Sequence, residues 1–331
     1  MGSNPTPSAS TARQIFFHRR SSHVLEPRRF ETPFVPILIA TVQLPPFDSG
    51  DLFVDQLPWA LTYTYDFYHA WIGFARNGIF SHVWSLAVEE QFYLLFPFLI
   101  LHLAPETLKR VFVVIAFLGP AIRYATWFAS ETRLLPFLGL EPDMVVYVLP
   151  FSHVDAFVIG GFVALYLRDY VPSGRLLLIC LLAVVGTGLL ASKFTIDDWH
   201  FASLGYPMFM KPALQYVWGY SLFAVAFALF LLRLRRRDFC QPIFENAWLS
   251  YLGRISYGLY IVHLPAIVLT HKWMDIPLLE GAPINAERVL SILLALGLTV
   301  AVSVLSFELF ERHFLALKEI FFAKESPPPR V

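Results

Sequence analysis

Two adjacent carboxylates, Glu89 and Glu90, lie in an otherwise almost wholly apolar stretch, HVWSLAVEEQFYLLFP, at residues 82–97. Neighbouring residues of a helix are about 100° apart, so the pair points to two adjacent faces. The positive end of a helix, with Ser85 as a candidate N-cap, explains one acidic residue there. It explains two, followed by Gln91, less well, because each carboxylate costs about 2.5–3.5 kcal/mol inside a membrane. We therefore predict that the pair lines a polar cavity, where a carboxylate can do acid–base chemistry.

Composition indicates the kind of element that must position these side chains. Hydrophobic residues make up 56% of the 331 residues and charged residues only 15%, against about 25% charged in soluble domains. The apolar residues form blocks of near 20 residues, the length that crosses a bilayer as a helix. The predicted spans are 53–75, 86–103, 111–129, 144–167, 175–191, 214–232, 249–271 and 288–310. The short, proline-rich segment 34–46 is a further candidate, so the fold class is an all-α polytopic membrane protein with about 8–9 transmembrane helices.

The basic residues predict the orientation of these spans. They gather after every second span, at Lys109–Arg110, Arg168 with Arg175, Arg233 with Arg235–Arg237, and Arg312 with Lys318. Cytoplasmic loops carry the excess of lysine and arginine. The C-terminus is therefore expected in the cytoplasm, and the loop 76–85 outside, so that the Glu89–Glu90 pair lies near the outer face.

The rest of the chain suggests three regions and excludes several classes of protein. We expect a disordered, basic cytoplasmic N-terminus at 1–30, a membrane domain at 31–318 and a polar, proline-rich tail at 319–331. Cys180 and Cys240 lie in different environments, so neither a disulfide framework nor a cysteine zinc site is expected. Phosphate-binding and nucleotide-binding motifs are missing from the sequence, and we expect no bound cofactor, no metal and no nucleic-acid partner.

Four stretches resemble the acyltransferase-3 family, integral-membrane enzymes that O-acylate sugars. The first is the stretch at 82–97, whose Trp-Ser-Leu-x-x-Glu-Glu-Gln-Phe-Tyr pattern has no generic structural cause. The other three follow in the family's order: FSHVDAFVIGGFVALY at 151–166, YLGRISYGLYIVHLP at 251–265 and SFELFERHFLALK at 306–318. The resemblance covers about residues 55–318.

The resemblance implies a reaction and its partners. Such enzymes transfer an acyl group, usually acetyl, from acyl-CoA as co-substrate to a hydroxyl of a glycan or other sugar-containing acceptor. This reaction needs a general base for the hydroxyl, donors or cations for the oxyanion and basic residues for the CoA phosphates. The expected setting is the lipid of a bacterial inner membrane, crossed several times.

The resemblance also implies which residues form the site. The candidate catalytic residues are Glu89, Glu90, His263, His82 and Asp155. The candidate substrate-binding residues are Trp84, Ser85, Gln91, Tyr93, His153, Arg254, Ser256, Tyr257 and Tyr260. Each has a structural alternative: His263 as a hydrogen-bonded helix residue, His82 as an interfacial anchor, and Arg254 as a snorkelling cation. His153 with Asp155 would then be a buried polar pair.

The chain departs from the family at its start. The family's first helices, which carry an arginine spaced from a histidine, have no counterpart here, and that histidine is the family's nominal base. Two alternatives to an active enzyme therefore stay open, a catalytically inactive truncated member and a secondary transporter. A transporter should show repeated halves or paired broken helices, and the sequence has no internal repeat.

Overall fold

The computed structural model describes residues 50–73, 80–134, 141–207, 210–235, 241–274, 286–313 and 315. Every regular element in these ranges is helical. The α-helices are α1 Gly50–Leu61, α2 Tyr65–Ile72, α3 Val83–His102, α4 Pro105–Glu131, α5 Pro142–Val148, α6 Val154–Tyr166, α7 Gly174–Ile196, α8 Gln215–Leu234, α9 Gln241–Phe244, α10 Ala247–Arg254, α11 Ser256–Trp273 and α12 Ala286–Ser306. The predicted N-terminal region 1–30, the segment 34–46, Cys240 and the tail 319–331 lie outside the described residues.

The all-α membrane fold is confirmed, whereas the number of 8–9 spans stays a prediction. In the described ranges, five helical segments are long and apolar enough to cross a bilayer: α3, α4, α7, the segment Pro212–Leu234 that contains α8, and α12 with its π-helical extension to Glu311. Two bent pairs, α5 with α6 and α10 with α11, raise the number to seven if each is one span. The predicted span 53–75 instead forms two short helices, α1 and α2, because the chain turns at Tyr63 with a positive φ of 53°.

The two bent pairs break for local reasons. The segments α5 and Pro150–Tyr166 are bent by 64°. Pro150 disfavours helical backbone at the residue before it, and Leu149 is accordingly extended, with φ −78° and ψ 143°. The second bend, of 70°, separates α10 from α11 at Ile255. Periodicity in the sequence reports neither bend, since both halves of each pair stay apolar.

The described helices pack against one another in groups. Helix α4 packs against α5, α6 and α8, and α8 packs in turn against α7. Phe96 and Ile100 of α3 join Leu108 and Phe112 of α4 and Val158 of α6 in one buried cluster. Helices α11 and α12 form the most extensive helix pair. A close approach of Gly258 to Ser303 lets these two helices meet, since a Cβ on Gly258 would lie 3.2 Å from that of Ser303.

Candidate active site

One face of α3 meets α11 through hydrogen bonds. His82, Ser85 and Glu89 are spaced i, i+3 and i+7, so they share this face. The Tyr260 hydroxyl donates to the His82 carbonyl oxygen at 2.8 Å and is also hydrogen-bonded to Ser85 Oγ. Nε2 of His82 lies 3.2 Å from the Ile261 carbonyl oxygen. The structure therefore brings together residues that are about 175 positions apart in the chain.

Two imidazoles and a phenol form the centre of this contact. The His82 ring lies 5.0 Å from the His263 ring and 5.3 Å from the Tyr260 ring, between centroids. Nδ1 of His263 is hydrogen-bonded to the Tyr260 carbonyl oxygen. A carbonyl oxygen only accepts, so Nδ1 must be the donor, and Nε2 of a neutral His263 is left as a proton acceptor. His263 is thus both hydrogen-bonded and equipped as a base.

The two carboxylates of the triplet face different neighbours. Glu89 is exposed and lies one helical turn after Ser85, which is hydrogen-bonded to the Tyr260 hydroxyl. Glu90 is half-buried on the side of the turn between α1 and α2, where burial and the Glu90 charge raise the pKa of Tyr63. Sequence reasoning left open which of the pair faces the cavity. The structure turns Glu89 toward the α3–α11 contact, which we call the histidine–tyrosine cluster: His82, Ser85, Tyr260 and His263.

A second face of α3 carries Trp84. Its ring lies 4.8 Å from the Tyr147 ring and stacks on the His153 ring at 5.8 Å. Nε2 of His153 lies 3.0 Å from the Tyr147 carbonyl oxygen, and its ring meets the edge of Tyr220 at 5.5 Å. The predicted substrate residues Trp84 and His153 are therefore neighbours. They form an aromatic wall beside the triplet.

Asp155, a predicted catalytic residue, lies in a buried ion pair with Arg123. The Arg123 guanidinium binds both carboxylate oxygens, with Nη1 at 2.7 Å and Nη2 at 3.0 Å, and neither side chain is exposed. Arg123 also donates to the carbonyl oxygens of Ser152 and Val217, and the Ser221 hydroxyl donates to Asp155. The partner of Asp155 is thus Arg123, whereas His153 contacts Tyr147. Both carboxylate oxygens already have donors, which is the arrangement of a structural pair.

Sequence reasoning missed Arg123 and Asp66. Arg123 had a signal, because it is the one charged residue in the predicted span 111–129. Asp66 had a weaker signal, an acidic residue within the aromatic stretch YTYDFYHAW that begins at Tyr63. The side chain of Gln91 donates to Asp66 Oδ1 at 2.9 Å and to the Tyr63 carbonyl oxygen at 2.8 Å.

Four predicted substrate-binding residues lie elsewhere on α3 and at the bend between α10 and α11. Tyr93 is 56% exposed on the outer surface of α3. Arg254 and Ser256 are exposed at the bend between α10 and α11, and Tyr257 is half-buried next to them. The Arg254 guanidinium lies 5.2 Å above the Tyr251 ring, and the Tyr251 hydroxyl reaches Glu308 at 3.2 Å. This end of α11 is a separate polar group from the histidine–tyrosine cluster.

Comparison with known proteins gives consistent relatives. A family model described as an acyltransferase domain matches residues 32–308. The O-acetyltransferase OatA of Staphylococcus aureus strain NCTC 8325 is 22% identical over 200 residues, which cover 58% of this chain and 30% of the relative. A strain COL protein provisionally named as an O-acetyltransferase is 25% identical over 210 residues, with the same coverage. The match thus spans about a third of the length of these relatives. No solved structure matches the chain.

Proposed function

Because the chain belongs to the acyltransferase-3 family, we propose that it transfers an acetyl group from acetyl-CoA to a hydroxyl of a cell-surface glycan. The family match and the O-acetyltransferase relatives support the reaction class. Acetyl-CoA as the donor and the glycan as the acceptor are proposals. The reaction forms an ester bond to the acceptor oxygen and breaks the thioester bond, which releases CoA as the thiol.

One observation carries the proposal: the Tyr260 hydroxyl joins α11 to the α3 face that holds Ser85 and Glu89. The candidate proton acceptors are the Glu89 carboxylate on this face of α3 and Nε2 of His263 on α11. A glycan hydroxyl is a weak nucleophile and becomes reactive when such a group removes its proton. The hydroxyls of Ser85 and Tyr260 and the aromatic wall of Trp84 and His153 would orient the acceptor.

The charge distribution supports acyl-CoA as the donor. Arg168, Arg175 and Arg254 are exposed at helix ends, where guanidinium groups can bind phosphate oxygens in a bidentate manner. We assign these ends to the cytoplasm, the compartment that supplies acyl-CoA. Arginines on the cytoplasmic side also agree with the predicted cytoplasmic C-terminus.

The proposal is tested with the purified protein in detergent, incubated with radiolabelled acetyl-CoA and a panel of bacterial glycans. Release of free CoA together with label on a glycan is the expected result. Uptake of a solute into proteoliposomes without any CoA release would favour a transporter instead. Failure to cleave the thioester with every acceptor, in protein shown to be folded, would overturn the proposal.

A further inference from the structure

A buried polar cluster lies where α1, α2 and the start of α3 pack together. Gln56 of α1 is 3% exposed, and Tyr65, Asp66 and His69 of α2 are fully buried. The Tyr65 hydroxyl donates to Gln56 Oε1 at 2.8 Å. Asp66 accepts the amide of Gln91, the last member of the Glu-Glu-Gln triplet. The cluster thus connects the two short helices directly to the predicted catalytic stretch.

Asp66 is only half satisfied in this cluster. Its Oδ2 atom is buried and has no hydrogen-bond partner within the described part of the chain. No described lysine or arginine side chain forms an ion pair with it. The titratable side chains on the elements packed against α2 include Asp55 of α1, Glu89, Glu90, Tyr93 and His102 of α3, and Asp143 and Tyr147 of α5, with Glu141 just before it. Asp143 is paired with Lys211, and Tyr65, Tyr68 and His69 lie on α2 itself. The surroundings are therefore mostly acidic.

We propose that Asp66 carries a proton at neutral pH and that its neutral carboxyl group holds Gln91 against α2. An ionised carboxylate with an unpartnered oxygen is far more costly to bury than the neutral acid. Asp66 belongs to α2, which is outside the spanning helices identified above. Burial raises the pKa of this carboxyl to about 7, which agrees with the geometric argument.

Holding Gln91 has a consequence for Glu89. Residues two apart on a helix are separated by a rotation of about 200° around its axis, so they point to nearly opposite sides. Both amide hydrogens of Gln91 are used, one on the Tyr63 carbonyl oxygen and one on Asp66. Fixing that side of α3 against α2 therefore turns Glu89 to the opposite side, toward the histidine–tyrosine cluster. Asp66 is in this sense a positioning residue, a role that rests on the function proposed above.

Infrared spectroscopy tests the proton directly and does not depend on activity. The wild-type protein at pH 6 should show the C=O stretching band of a protonated carboxyl group. Asp66→Asn should remove part of this band, since the amide keeps the Oδ1 acceptor for Gln91 but has no titrating proton. The matched control is Asp55→Asn, which changes an exposed carboxylate on the adjacent helix. A band that is identical in Asp66→Asn and wild type would overturn the proposal.

Transfer activity tests the positioning. Asp66→Asn should retain transfer, because its Oδ1 atom still accepts from the Gln91 amide group. Asp66→Leu cannot accept the Gln91 amide and should lose about 10²-fold in transfer at normal abundance, the scale of a misplaced catalytic group. Parental transfer in Asp66→Leu would refute the positioning role. If no variant transfers at all, the proposed function fails while the infrared result still decides whether Asp66 holds a proton.

Discussion

Nη1 of Arg123 lies 2.7 Å from Oδ1 of Asp155, and both side chains are completely buried. The same guanidinium group donates to the Ser152 carbonyl oxygen, next to the break between α5 and α6. A broken helix inside a membrane leaves carbonyl groups that need donors. Arg123 supplies one of these donors and links α4, α6 and α8 at one point.

Removing either member of this pair should destabilise the protein severely. Arg123→Met leaves the Asp155 charge buried without its partner, which costs about 3–5 kcal/mol. The double variant Arg123→Met with Asp155→Leu should be more stable than either single variant, because no lone charge remains. Thermal unfolding in detergent measures this. The control is Lys193→Met in the exposed pair with Asp197, where a change of about 0–1 kcal/mol is expected. Equal stability of the double and the single variants would contradict the argument.

Gly119 gives an independent test of the same contact. A Cβ at this position would lie 2.5 Å from both Cβ and Cγ of Asp155, so Gly119→Ala must push the ion pair apart and should lower the melting temperature and the abundance. Gly186→Ala is the matched control, because nothing lies within 4 Å of a Cβ there. Alanine is the better helix former, so the control should be neutral or more stable by up to about 1 kcal/mol. Equal behaviour of the two variants would rule out close packing at Gly119.

Glu89 and Glu90 should differ in importance. Glu89→Gln preserves shape and removes the proton acceptor that faces Tyr260, so transfer should fall by about 10²-fold or more. Glu90→Gln, on the side of Tyr63, should have a smaller effect. Initial rates with labelled acetyl-CoA, normalised to folded protein, measure both. Parental rates in both variants would show that the pair is structural.

His263→Ala separates a base from a packing residue. If Nε2 of His263 takes part in transfer, the variant should lose activity while insertion and abundance stay normal. If the ring only fills space, alanine leaves a cavity and abundance falls. His102→Ala is a suitable control, because His102 is exposed at the far end of α3. Reduced abundance with normal transfer per folded molecule would exclude the catalytic role.

The orientation of the spans follows from the basic loops and can be tested by labelling. In a protein whose two cysteines are replaced by serine, Asp198→Cys should react with an impermeant thiol reagent in intact cells. Asp169→Cys, beside Arg168, should react only after the membrane is permeabilised. Both positions are exposed, so access alone decides the result. The reverse pattern would invert the predicted topology.

The sequence predicted the long apolar helices, because hydrophobicity is a local property. It could not assign the partner of Asp155, since Arg123 comes from another span and pairing depends on how α4 and α6 pack. It likewise predicted 144–167 and 249–271 as single spans, although each is bent in the structure. The assignment of every candidate residue to the site remains a prediction. What the structure adds is the contact of α3 with α11, which no periodicity reveals.

The contact between Ser85 and Tyr260 also bears on biosynthesis. Its two residues are 175 positions apart in the chain, so the ribosome has made more than half of the protein before the second half of the site exists. Until α11 inserts, the carboxylates of α3 have no partners from that helix. The nascent chain must therefore keep its first helices in the membrane with an incomplete polar interior. A chain that stops after α8 would insert but could not assemble this site, because α11 would be missing. Such a truncated protein should have no transfer activity, whether it is stable or degraded.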